Sequence, residues 1–98
     1  MKGYEIPLGF GSQKLRITLN KIPYVFVLTW RVSGFYTLDI YRDDESVVAR
    51  SVAVLTGANI IEAHQHNMRG QLLVWTQDGL NPTYESLGTT TKLYWIDP

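Results

Sequence analysis

Glu62, His64 and His66 come closest in this chain to a metal-ligand pattern. On a strand, their alternate spacing would put a carboxylate and two imidazoles on one face, where they can present lone pairs to one cation. On a helix only Glu62 and His66, at i and i+4, would be neighbours. A complete site would need a further ligand such as Asp39 or Asp78, and nothing in the sequence directs either one there. A polar loop or helix face is the favoured reading, with no metal and no other cofactor expected. Asp39 stands between Leu38 and Ile40 in a strand-like run. A strand carboxylate with a shifted pKa can act as a general acid or base. No second acid or histidine is placed beside it. Solvent or an arginine on a neighbouring strand (Arg31, Arg42 or Arg50) is the expected partner. Ser33, Ser51 and Ser86 lack the Gly-x-Ser-x-Gly turn that exposes a nucleophile. Gly9-Phe10-Gly11-Ser12 precedes a strand, so it reads as a turn; a phosphate loop needs a helix N-terminus there. The chain is not expected to be an enzyme.

Aromatic residues are the richer signal: three tryptophans, six tyrosines and three phenylalanines. On sheet faces such rings stack on sugars or on single-stranded nucleic acid. Nucleic acid also requires a basic groove, and nine basic residues here balance nine acidic ones. That balance disfavours specific nucleic acid and anionic membranes as partners, and it leaves little repulsion against self-association. Core and interface packing is the favoured use of the rings. A carbohydrate-binding or adhesion module remains the alternative.

These residues must be positioned by strands, because the dominant period is two. In Gln13–Leu19, Leu15, Ile17 and Leu19 alternate with Lys14, Arg16 and Thr18. Asn20-Lys21 then makes a hairpin turn that lacks the usual glycine. Tyr24 to Val32 is apolar on both faces, which predicts cover on both sides, by core and by another layer or subunit. Pro23 belongs at the start of that strand or on an edge. Further strands are expected over 35–42, 47–55, 71–77 and 92–96, with an edge strand over 4–8. Asp43-Asp44-Glu45 makes a charged hairpin tip and residues 80–91 a polar loop. One or two helical turns are expected within 58–66, with Thr56 as a cap. The fold class is therefore all-β, a small β-barrel or β-sandwich of six or seven short antiparallel strands, in a single domain over residues 1–98.

No cysteine is present, so the fold has no disulfide and no thiolate metal site. Met1-Lys2-Gly3-Tyr4 opens without an apolar run, and no signal peptide or membrane span is expected. Apolar character and loop length nominate Tyr24, Phe26, Trp30, Tyr84, Leu87 and Trp95 as interface residues.

An ordered series of short segments adds to this. It runs from Glu5-Ile6-Pro7-Leu8 through Ile17-Thr18-Leu19-Asn20, Trp30-Arg31 and Tyr36-Thr37-Leu38-Asp39-Ile40-Tyr41. It continues through Leu55-Thr56-Gly57-Ala58-Asn59-Ile60-Ile61, Asp78-Gly79 and Pro82-Thr83-Tyr84-Glu85 to Leu87-Gly88-Thr89-Thr90-Thr91-Lys92-Leu93-Tyr94. The series resembles the baseplate plug family of contractile-tailed phages, of the type described for a freshwater cyanophage. One departure is Lys21-Ile22-Pro23, where relatives often carry Asn-Gly and then a hydrophobic residue. The resemblance implies a structural virion protein of the tail baseplate, assembled in the host cytoplasm. It would be a plug subunit that docks on hub and spike proteins and closes the tail tube lumen. The tail tube or tape-measure protein would be a further contact. By analogy with three-fold phage hubs, a homo-oligomer is implied, and a trimer is expected.

Overall fold

The period-two runs become strands, and the computed structural model describes them within residues 3–98. In chain order they are β1 (Gly3–Ile6), β2 (Gln13–Leu19), β3 (Ile22–Arg31), β4 (Phe35–Arg42), β5 (Val47–Ala53), β6 (Gln71–Thr76) and β7 (Thr91–Ile96). The helical turns expected within 58–66 shrink to one 3-10 turn, Glu62–His64. The strands form two antiparallel sheets, β2-β3-β4-β5 and β1-β7-β6. They do not close into a barrel; the fold is sandwich-like.

The facing sides carry the core. β3 contributes Tyr24, Phe26 and Leu28, and β4 contributes Tyr36, Leu38 and Ile40. From the other sheet come Ile6, Leu72, Val74, Leu93 and Trp95. Of the two apolar faces of β3, the aromatic one turns inward. No further layer of the chain covers the Val25–Val27 face among the described residues.

Asn20 and Lys21 both take positive φ (51° and 65°) between the closing pair Leu19 and Ile22. That is the two-residue turn whose twist matches the flanking strands, and Lys21 occupies the position where glycine is preferred. Left-handed backbone strains any residue with a Cβ. Lys21→Gly is therefore expected to raise stability by about 0.5–1 kcal/mol, visible as a higher urea midpoint at an unchanged slope. The closing pair also sets the hydrogen-bond alternation. Tyr24, Phe26 and Leu28 bond toward β2, while Pro23, Val25 and Val27 face β4. The β4 partnership starts only at Tyr24–Arg42, so the missing N–H of Pro23 faces no strand.

The four sheet edges are treated differently. β5 carries two irregularities in seven residues, one on each side of Ile40. At the first, Arg50 and Ser51 together oppose Asp39, with Ser51 at φ 55°. At the second, Val48 is the extra residue, so Val48 and Ala49 are both buried although adjacent. Bulges bend and twist an edge away from other strands. The outer edge of β6 is occupied within the chain: Ile60 N–H donates to the Leu72 carbonyl (3.0 Å) and Leu72 N–H donates to Asn59 Oδ1 (3.0 Å). β1 and β2 have no such device among the described residues.

Candidate docking surfaces

At one end of the sandwich four loops meet around Tyr36. Its ring is fully buried. Its hydroxyl donates to the Tyr84 carbonyl (2.6 Å) and accepts from Gly11 N–H (3.0 Å), tying the 7–12 and 77–90 connections to β4. Ser12 Oγ accepts from Trp30 N–H (3.0 Å), and Asn81 Oδ1 accepts from Thr56 N–H (3.2 Å). Trp30 meets Tyr36 edge-on at 4.9 Å and Tyr84 at 5.7 Å, and Tyr84 meets Phe10 at 6.3 Å. Edge-to-face packing at such distances suits the ring quadrupoles. The 77–90 connection, polar in sequence, is ordered by its own hydroxyls. Ser86 Oγ accepts from Thr83 N–H and bonds Thr91 Oγ1, and Thr89 Oγ1 donates to the Ser86 carbonyl.

This braced end leaves apolar groups in solvent. Phe10 is 67% exposed, Leu80 66%, Tyr84 43%, and Val32 is fully exposed on the β3–β4 hairpin. Burial raises the Tyr36 pKa above the ordinary phenol value, and the Gly11 N–H partly opposes that shift.

Two further surfaces lie on the outer faces of the sheets. On β2-β3-β4-β5, Val25, Val27 and Tyr41 floor a groove of about 510 Å³. Lys14 and Arg16 line it from β2 and Arg42 from β4, and Asp43, Asp44 and Glu45 supply acid; Arg16 pairs with Asp43. The Asp44 carboxyl lies below its usual range because it accepts hydrogen bonds from Ser46. On β1-β7-β6, Leu73, Trp75, Tyr94 and Ile96 form a shallow apolar depression of about 390 Å³ with Gly57 and Ala58. Trp75 is half exposed there.

Of the six residues nominated for an interface, four are core. Tyr24, Phe26, Leu87 and Trp95 are all 3% exposed or less. A side chain packed inside the sandwich presents no surface to a partner. Trp30 is half-buried and Tyr84 exposed, both in the aromatic end. Trp95 instead anchors the core, its indole N–H donating to Asp97 Oδ1 (2.7 Å). Leu80 begins the 80–91 loop to which loop length pointed, whereas Phe10, Val32 and Trp75 are docking candidates that residue type and periodicity did not single out. Their signal was a large apolar residue beside a turn, or, for Trp75, on the outer register of a strand.

The residues with chemical potential are dispersed. Glu62 and His64 lie in the 3-10 turn and His66 follows it. Among the described residues no group of three or more His, Cys, Asp or Glu sits close enough to hold a metal ion. Asp39 holds the backbone of the bulge, where its Oδ1 accepts from Ser51 N–H (2.7 Å). A backbone donor, not an arginine, is its hydrogen-bond partner.

In comparison with known proteins, the family model described as Cyanophage baseplate Pam3 plug gp18 matches residues 3–98. No curated protein matches the chain.

Proposed function

Because the chain belongs to the cyanophage baseplate plug family, a structural component of the virion tail baseplate, we propose that it docks on the hub and spike proteins by its aromatic end and closes the tail tube lumen. It works by shape, without catalysis. One observation carries the reading: Phe10, Leu80 and Tyr84 are exposed on loops that are braced to the core, with Val32 exposed on the β3–β4 hairpin at the same end. Rigid, preorganised apolar loops lose little entropy on binding, and aromatic anchors dominate interface energies. The outer faces are available for other baseplate proteins, including the tail tube or tape-measure protein. Opening would then consist of loss of this interface when the spike leaves.

The test is co-expression with the hub protein of the same phage. Wild-type chain is expected to co-elute with the hub at a fixed ratio, and Phe10→Ser with Leu80→Ser is expected to weaken the complex at least tenfold. Both side chains project into solvent, so the doubly changed protein should fold. Hub and wild-type chain that elute apart, or a complex indifferent to both changes, would sink the reading.

A sugar-binding reading finds its best place at Trp75. The depression there offers two polar side-chain groups, the Tyr94 hydroxyl and the Trp75 indole N–H, where sugar recognition needs several convergent donors and acceptors. A protein contact suits that lining better.

A further inference from the structure

We infer that two copies of this chain join edge to edge, β1 of one pairing antiparallel with β2 of the next, with Glu5 opposite Arg16. The inference deepens the proposed role by naming the contact between plug subunits. It starts from the sheet edges. β5 is bulged and β6 is occupied by Asn59 and Ile60, which among the described residues leaves β1 and β2 open. An open, regular edge is a template for another strand.

The backbone alternation of the two open edges matches. In β2, Gln13, Leu15, Ile17 and Leu19 bond inward to β3, because the turn closes on the Leu19–Ile22 pair. The N–H and C=O groups of Lys14, Arg16 and Thr18 therefore point out along the free edge. In β6, Leu72 bonds outward to Asn59 and Ile60, so Leu73 and Trp75 face β7 and bond Tyr94 and Lys92. That leaves Leu93 and Trp95 to bond β1, at Ile6 and Tyr4. The N–H and C=O groups of Gly3 and Glu5 then point out from β1. Setting Glu5 opposite Arg16 brings free groups against free groups, and Gly3 then meets Thr18.

The side chains agree with the same register. Glu5 and Arg16 both lie on outer faces. Tyr4 falls beside Ile17 and Ile6 beside Leu15 on the inner side. Leu15 and Ile17 are only half-buried in the single chain, and Tyr4 is 45% exposed, so each edge has apolar surface left to cover. Charge selects the pairing. β2 against β2 sets Lys14 and Arg16 against each other or themselves in registers centred on this edge, and β1 against β1 sets Glu5 against Glu5 or against Gly3, which offers no opposite charge. Like charges directly opposite destabilise a sheet, and opposite ones support it. Only the β1–β2 combination is complementary. Each chain offers one edge of each kind, so the contact closes reciprocally between two copies or around a ring.

Sedimentation velocity over a concentration series tests this on the purified chain. Wild type is expected to associate. Glu5→Lys or Arg16→Glu alone should weaken association at least tenfold, and the two reversals combined in one chain should restore it. Glu5 also pairs with Lys92 and Arg16 with Asp43, both at the surface, so circular dichroism should show each variant folded. A wild type that stays monomeric, or a double reversal that recovers nothing, overturns the proposal. A monomer that still co-elutes with the hub would overturn the edge pairing and leave the docking reading standing. An oligomer that ignores the hub would do the reverse.

Discussion

Gly70→Ala is expected to cost about 3 kcal/mol or more, a large part of the stability of a domain this size. The backbone at Gly70 has φ +121°, which strains any residue with a Cβ. A methyl group there would also lie 2.2 Å from Cη2 and 2.5 Å from Cζ2 of Trp95, and 2.9 Å from the Ile96 carbonyl oxygen. The indole cannot tilt away freely. It is fully buried, and its N–H is held by Asp97. Gly57→Ala is the control, because its φ is +99° and its added methyl would meet nothing within 4 Å. Gly57→Ala should show the backbone strain alone, about 1–2 kcal/mol. Urea unfolding of the two variants separates strain from collision. Equal losses would mean that the Trp95 pocket yields.

Tyr36→Phe is the second large effect, expected at about 2–3 kcal/mol although a single oxygen is removed. The ring would keep its packing. The Gly11 N–H and the Tyr84 carbonyl would each lose the partner that now satisfies them. Buried orphan groups cost more than the hydrogen bond they once made. The 7–12 and 77–90 connections should loosen together, detected as faster amide exchange at Gly11 and its neighbours while β3–β4 amides stay protected. The same hydroxyl gives a pH signature. Its pKa is raised in the folded chain, so its contribution is complete below the unfolded value of ~10 and is lost as pH rises through the folded value. Wild type should therefore lose stability in that alkaline window more steeply than Tyr36→Phe. Tyr24 is also raised by burial and titrates in both proteins, so the difference between them isolates Tyr36.

The strands were legible because alternation is a local property. Leu15, Ile17 and Leu19 identify β2 without any knowledge of its neighbours. The inward face of β3 was not legible, since Tyr24-Phe26-Leu28 and Val25-Val27 are both apolar and only the position of the second sheet decides between them. Trp95 and Leu87 have the residue types of interface anchors, yet the register of β7 and the approach of the 77–90 connection bury them. The bulges of β5 leave no mark in composition. Ser51 at positive φ is held by Asp39, twelve positions away in sequence, and a contact of that range has no local signature. The hydroxyl of Tyr36 is a similar case. Its sequence position is that of an ordinary strand residue, and its role comes from two loops that arrive from elsewhere.

The division of the sandwich into a braced aromatic end and a hairpin end also gives it a mechanical direction. In antiparallel ladders the hydrogen bonds run perpendicular to the strands. Opposed forces applied along neighbouring strands, one at the Trp30–Tyr84 end and one at the Asn20 and Asp43 tips, load every rung between them in shear together. A force applied across the strands peels them one rung at a time. A stopper loaded on its aromatic end would meet pressure along its stiff axis, while a sideways pull on an edge strand would dismantle it from the rim.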